Sequence, residues 1–132
     1  GQDFYINDKK HILNNKKKLS EALISFNTNQ SNFDDKKNSL ESILDRIAPP
    51  ICRRVHILES ANLELAYVAA GRIDIYVNPT DKPWDIAAAK IFLSSAGGDY
   101  KIIHSEYEDI LQQQGIIAAG SQSLLGEVEK LL

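Results

Sequence analysis

The residues able to do chemistry are few, and Asp85 is the carboxylate with the clearest local setting. Lys82-Pro83-Trp84-Asp85-Ile86-Ala87-Ala88 reads as the start of a helix. Proline suits a first turn, where its missing N–H would have no intrahelical partner. Asp85 then meets the positive end of the helix dipole, and capping alone would account for it. The histidines, His11, His56 and His104, are too far apart along the chain to form a metal-ligand motif. Cys52 is the only cysteine, which excludes an internal disulfide and a cysteine zinc site and points to a free buried thiol in a reducing compartment. Lys16-Lys17-Lys18 has no interleaved aromatics, and with a formal net charge of -3 the chain offers no electrostatic reason to expect nucleic acid. Gly97-Gly98 follows a helical segment and lacks the spacing of a dinucleotide loop, so it reads as a helix cap.

The elements that must position Asp85 lie between Ser60 and Gly98. A helix over Leu63 to Ala70 ends at Gly71, a strand runs from Ile73 to Val77, and a second helix runs from Pro83 to Gly97-Gly98. Apolar residues surround both helices apart from Glu64, Lys90, Ser94 and Ser95, the pattern of helices buried on more than one side. Tyr67, Tyr76 and Trp84, set among apolar neighbours, are expected in the core. Upstream, Phe4-Tyr5-Ile6 and His11-Ile12-Leu13 flank a polar turn, Asn7 to Lys10, as a hairpin. Ala22 to Phe26 reads as a buried strand, and the polar stretch Asn27 to Asn32 as the best candidate for disorder. A cap within Ser31 to Asp34 would open an amphipathic outer helix running to about Ala48, with Pro49-Pro50 as its stop. Arg53 to Leu58, Tyr100 to Ile103 and Ile116 to Ala119 read as strands, and Leu124 to Leu132 as a closing helix. Strands alternating with helices over 132 residues, 43% of them hydrophobic, predict one α/β domain, a layered fold with a largely parallel, mixed sheet flanked by helices.

The run Leu65-Ala66-Tyr67-Val68-Ala69-Ala70-Gly71-Arg72-Ile73-Asp74, then Lys82 to Ala88, then Ala96-Gly97-Gly98, resembles the C-terminal signature of the inositol monophosphatase family. That family includes archaeal enzymes that also hydrolyse fructose 1,6-bisphosphate. A lone Trp-Asp pair is common, whereas this order at this spacing is specific. The resemblance extends from Gly1-Gln2-Asp3-Phe4-Tyr5-Ile6-Asn7, similar to the hairpin after the family's central motif, to Gly115-Ile116-Ile117-Ala118-Ala119, similar to its last strand. Only Asn27 to Pro50 has no counterpart.

The resemblance implies a magnesium-dependent phosphomonoesterase acting on a small-molecule phosphate ester, a sugar or inositol phosphate. Asp85 is then a ligand of the second magnesium, a hard cation that takes carboxylate oxygens. Register carried from Glu59 to Asp85 puts Ser60 and Ala61 on the family's Gly-(Ser/Thr)-Ala segment, which lies near the substrate's ring hydroxyls. Glu59 stands where the family has Gly, and Asn78 where inositol-specific members carry a Glu, which implies broad or shifted substrate choice. Ala89 replaces a common Gly. Arg53-Arg54 is similar to the family's arginine-rich strand start but about two residues out of register; Arg54 is the candidate to neutralise Glu59. The family's other metal ligands, an N-terminal Glu and Asp-Pro-(Ile/Leu)-Asp-Gly-Thr, have no counterpart, because the sequence contains no Asp-Pro or Asp-Gly pair. The chain accordingly resembles the C-terminal half of an enzyme, residues 1–132, without a complete catalytic site and inactive alone; its start at Gly and lack of Met fit a fragment or processed product and equally the removal of an initiator Met. Its hairpin, residues 1–13, would belong to the sheet of a missing N-terminal domain, leaving an edge that pairs with another chain or frays. The expected partners are that domain and a second copy of the chain. A non-catalytic binding or oligomerisation domain is the alternative. No apolar run reaches the roughly 18 residues of a membrane span and no signal-peptide pattern occurs, so the expected location is cytoplasmic.

Overall fold

The structure, a computed structural model, describes residues 3–14, 16–27, 40–104 and 114–132. The described elements are β1 (Phe4–Ile6), β2 (Lys9–His11), β3 (Leu23–Phe26), α1 (Leu40–Ile47), β4 (Arg54–His56), α2 (Ala61–Ala69), β5 (Ile75–Asp81), α3 (Pro83–Ala96), β6 (Asp99–His104), β7 (Gln114–Ala119) and α4 (Gln122–Glu129), with a 3-10 turn over Leu19–Glu21. Five strands form one sheet in the order β4-β3-β5-β7-β6. β3 pairs in parallel with β4 and β5, and β7 pairs antiparallel with both β5 and β6. Every strand but β7 therefore points the same way, which makes the sheet mixed and largely parallel, flanked by helices as expected.

Alternation along the central strands builds a core on each face. Ile75 and Val77 of β5 and Ile117 and Ala119 of β7 pack with α1, α4 and the 3-10 turn, through Ile43, Ile47, Leu124, Val128 and Leu19. Tyr76, Ile116 and Ala118 point the other way and meet α2 and α3 through Leu65, Val68, Ala69, Ile86, Ala89, Leu93 and Ala96. Two-residue periodicity in the strands thus divides the domain into three layers. Cys52 is free and buried in the first core, and burial pushes its thiol pKa up.

Helix α3 has two apolar stripes and packs only one of them. Ile86, Ala89, Leu93 and Ala96 are buried at 3–4 residue spacing, whereas Trp84, Ala87, Ala88 and Ile91 are exposed at the same spacing on another face. Trp84 is 60% exposed, which corrects its expected place in the core. The sequence showed apolar residues all round; it is one apolar face too many for the neighbours this helix has. The left-handed cap was correctly read: Gly97 has φ 93, and the Gly98 N–H donates to the Leu93 carbonyl at 2.9 Å.

The hairpin forms with a tighter turn than expected. Asn7 and Asp8 both have positive φ, 48° and 62°, and join β1 to β2 directly. Asn and Asp tolerate that region better than other side chains, so the second strand begins at Lys9 and ends at His11. The hairpin is a separate two-stranded sheet. It docks on α3 through Phe4, whose ring lies 6.2 Å from that of Phe92, and through the Leu13 N–H, which donates to the Ala96 carbonyl at 2.7 Å. Other boundaries also move. The strand expected over Arg53 to Leu58 is only β4, α2 starts at Ala61, and β5 continues four residues past Val77 to Asp81. Asn27 is buried, 2% exposed, and donates its N–H to the Val77 carbonyl, so it prolongs the sheet pairing. The rest of the expected polar stretch and the expected cap at Ser31 to Asp34 fall outside the described residues. No helix among the described residues is long and apolar enough to cross a membrane.

Candidate active site

Strands β3 and β5 end beside the starts of α2 and α3, and this is where the candidate residues meet. Asp85 lies half-buried in the first turn of α3, with Pro83 ahead of it. One of its oxygens accepts from Asn62 Nδ2, in the first turn of α2, at 3.3 Å. Two helix starts are thereby joined through a carboxylate, where both dipoles present their positive ends. Ser60 and Ala61 immediately precede Asn62, so the structure brings Glu59, Ser60 and Ala61 to the same end of the sheet as Asp85.

Glu59 has φ 56, in the left-handed region. A side chain there costs about 1–2 kcal/mol that glycine does not pay. The local backbone therefore gives a physical reason for a glycine at this position. The turn is held by Glu64, fully buried on α2. Its Oε1 accepts from Ser25 Oγ at 2.5 Å and its Oε2 from the Ser60 N–H at 3.0 Å.

Asn78 is fully buried and committed to internal hydrogen bonds. Its Oδ1 accepts from the Thr80 N–H at 2.9 Å and its Nδ2 donates to Tyr76 Oη at 3.0 Å. The first bond makes a tight turn around Pro79 at the point where the β5–β7 register shifts, and a strand tolerates a residue without N–H at such an irregularity. The second joins a polar chain, because Tyr76 Oη donates to Asp81 Oδ2 at 2.9 Å, and Asn27 also hydrogen-bonds Tyr76. Asp81 is 3% exposed. Burial pushes its pKa up to about 7, the Tyr76 hydrogen bond opposes the rise, and repulsion from Asp85 and Glu64 adds to it. Burial likewise raises the Tyr76 phenol.

Arg54 is not brought to this end. It pairs with Leu23 at the start of β3, level with Asp74, and four strand residues, about 13 Å, separate that level from Asn78. Asp74, the last residue of the signature run, also works there. Its carboxylate accepts from the Leu23 N–H at 2.8 Å and from Lys17 Nζ at 2.9 and 3.0 Å, which ties β3 to β5.

Sequence reasoning passed over Asn62, Glu64 and Asp81. Glu64 stands out in the sequence as the lone charge of an apolar helix, but that pattern alone assigns it no role. Asp81 gave no signal, since only the continuation of β5 past Pro79 buries it. Among the described residues no group of three or more His, Cys, Asp or Glu could hold a metal ion. What the described residues offer at this junction is the half-buried carboxylate of Asp85, with the exposed Glu59 at the same end of the sheet. Hard oxygen donors of this kind fit a share of a magnesium site.

The inositol monophosphatase family model matches residues 1–131. The chain is similar to the inositol-1-monophosphatase of Bacillus subtilis, 32% identical over 121 residues that cover 89% of this chain and 43% of that protein. It is similar to the fructose-1,6-bisphosphatase/inositol-1-monophosphatase of Thermotoga maritima, 54% identical over 46 residues, 35% of this chain and 18% of that one. The solved structure of a Thermotoga maritima IMPase superposes with a TM-score of 0.75 at 29% identity, covering 99% of this chain and 48% of that one. The chain thus spans less than half the length of these relatives. Layered sheet, signature run and family model agree, and the chain belongs to the inositol monophosphatase family, a family of phosphatases.

Proposed function

We propose that this chain is the C-terminal domain of a magnesium-dependent phosphatase that hydrolyses a sugar or inositol phosphate, and that Asp85 supplies one of the metal's oxygen ligands. The observation that carries this reading is the junction of two helix starts, with Asn62 donating to an Asp85 oxygen at 3.3 Å. Asn62 orients the carboxylate. Glu59, Ser60 and Ala61 form the substrate side, where the Ser60 hydroxyl offers a donor and an acceptor to ring hydroxyls. Asn78 shapes that side from beneath by fixing the Pro79 turn, and Arg54 has no part in it. Glu59 adds bulk and charge beside the substrate, which fits broad or shifted substrate choice better than a strict inositol monophosphatase. Magnesium, when bound, supplies the charge that activates a water and stabilises the departing oxygen. The remaining ligands belong, on this reading, to the N-terminal half that the relatives possess.

The test is direct. The 132-residue chain alone turns over no phosphate ester above background. With the N-terminal half in the same chain or added in trans, magnesium-dependent hydrolysis of inositol 1-phosphate or fructose 1,6-bisphosphate appears and is abolished in Asp85→Asn. Turnover by the chain alone, or activity indifferent to Asp85→Asn, overturns the proposal. The outward apolar stripe of α3 favours a second reading, a domain that binds or oligomerises without catalysis. An upstream Asp-Pro-(Ile/Leu)-Asp-Gly-Thr in the parent reading frame decides for the enzyme, and its absence for the second reading.

A further inference from the structure

We propose that Glu64 is a positioning residue, fixing the Glu59-Ser60 turn against the central sheet and so setting how the Ser60-Ala61 segment meets the substrate; its bearing on substrate rests on the function proposed above. The carboxyl of Glu64 is fully buried and divided between two elements. Oε1 takes the Ser25 hydroxyl of β3 at 2.5 Å, and Oε2 takes the Ser60 N–H at 3.0 Å. The Glu64 N–H in turn donates to the Ser60 carbonyl at 2.9 Å, so Ser60 is gripped at both of its backbone polar groups by one residue. The Ser60 side chain makes no capping bond to α2, and Glu64 supplies the side-chain bond to the Ser60 N–H. Glu59, next to the gripped residue, is in a left-handed conformation that a side chain adopts only when its surroundings impose it. Leu65, Val68 and Ala69 show what the buried face of α2 otherwise uses. A carboxyl among them is costly unless each oxygen finds a donor, and the donors it finds are a central strand and the substrate-side turn.

Three variants test this, Glu64→Gln, Glu64→Leu and Ser25→Ala, with amide hydrogen exchange of the 132-residue chain followed by NMR. Glutamine can still accept from Ser60 N–H while donating to Ser25 Oγ, so it keeps the Ser60 amide within about threefold of the natural protein. Leucine removes both bonds, and Ser60 exchanges about tenfold faster or more while the β5 amides Ile75 to Val77 keep their rates. Ser25→Ala, which leaves the helix and its charge untouched, speeds Ser60 in the same direction by less. Unchanged Ser60 exchange in Glu64→Leu overturns the proposal. So does equal acceleration at Ile75 to Val77, since Glu64 would then only stabilise the whole fold. In the phosphatase that includes the magnesium-binding half, Glu64→Leu raises KM about tenfold with a smaller change in kcat, and Glu64→Gln restores KM. A fall in kcat with KM unmoved counts against positioning. If the natural protein hydrolyses no phosphate ester at all, the proposed function fails, and the amide rates still decide whether Glu64 holds the turn.

Discussion

Asp81 and Glu59 are residues whose surroundings work against them. Asp81 has an ordinary pKa of 3.8 and a folded one of about 7, so between those values the folded state holds a proton that the unfolded chain has released. Its contribution to stability is complete below about 3.8, declines as pH rises, and levels off above about 7. Asp81→Asn keeps an acceptor for Tyr76 Oη and cannot ionise. We expect urea midpoints of the natural chain to fall between pH 5 and about 7 relative to those of Asp81→Asn. Parallel curves for the two proteins would mean that the aspartate is ionised throughout. Glu59→Gly should raise stability by about 0.5–1 kcal/mol, because relief of the left-handed strain outweighs the extra flexibility of the unfolded chain. A drop in stability would show that the Glu59 side chain makes contacts worth more than the strain. The place of Asp85 in a first turn was readable because Pro83 fixes where its helix starts. The buried carboxyls were not, since burial belongs to the strand end and helix packing around a residue and not to the residue itself.

At the scale of elements, the sequence is most informative where a single residue type sets the geometry. The Gly97-Gly98 pair places the end of α3 correctly for that reason, and its second glycine carries a further constraint. A Cβ at Gly98 would lie 2.9 Å from the Ala119 carbonyl oxygen and 3.2 Å from Leu13 Cδ1 and Leu93 Cδ2. The carbonyl belongs to β7 and cannot step aside cheaply. Gly98→Ala should therefore cost about 1–3 kcal/mol in a denaturant titration, and a change under about 0.5 kcal/mol would show that β6 and β7 can separate locally. Strand ends were misjudged where tertiary pairing decides them. β5 outlasts Val77 because β7 supplies partners as far as Asp81, with the Asn78 turn absorbing the irregularity at Pro79. β4 is short because beyond His56 the chain has no partner in β3 and turns toward Ser60. The hairpin turn was drawn two residues too long because positive φ at Asn7 and Asp8 lets the strands pair immediately.

For the whole molecule, the fold class followed from alternation of strands and helices, but the number of apolar faces left over did not. Trp84 and Ile91, 60% and 72% exposed, lie one above the other on α3, and Leu63 on α2 is 43% exposed. A contiguous apolar stripe in water favours association. We expect sedimentation of the chain to show concentration-dependent self-association, and Trp84→Ser with Ile91→Ser to shift it to monomer without changing the far-ultraviolet circular dichroism. A monomer at all concentrations would mean that scattered exposure, not a docking face, is the right description.

The separation of the hairpin from the five-stranded sheet has a consequence for protease susceptibility. Among the described residues no strand pairing joins the two sheets, and the connection runs through Leu13, Lys16 and Lys17 before the chain reaches β3. The Lys17 ammonium is held by Asp74, while Lys16 and Lys18 are exposed. Opening this connection leaves both cores closed, so brief trypsin treatment should nick the lysine run. The product from about Leu19 onward should retain both core clusters, since each is built wholly or mainly from residues beyond the cut. Prompt degradation to small peptides would instead mean that the docked Phe4 and Leu13 are needed to keep α3 in place.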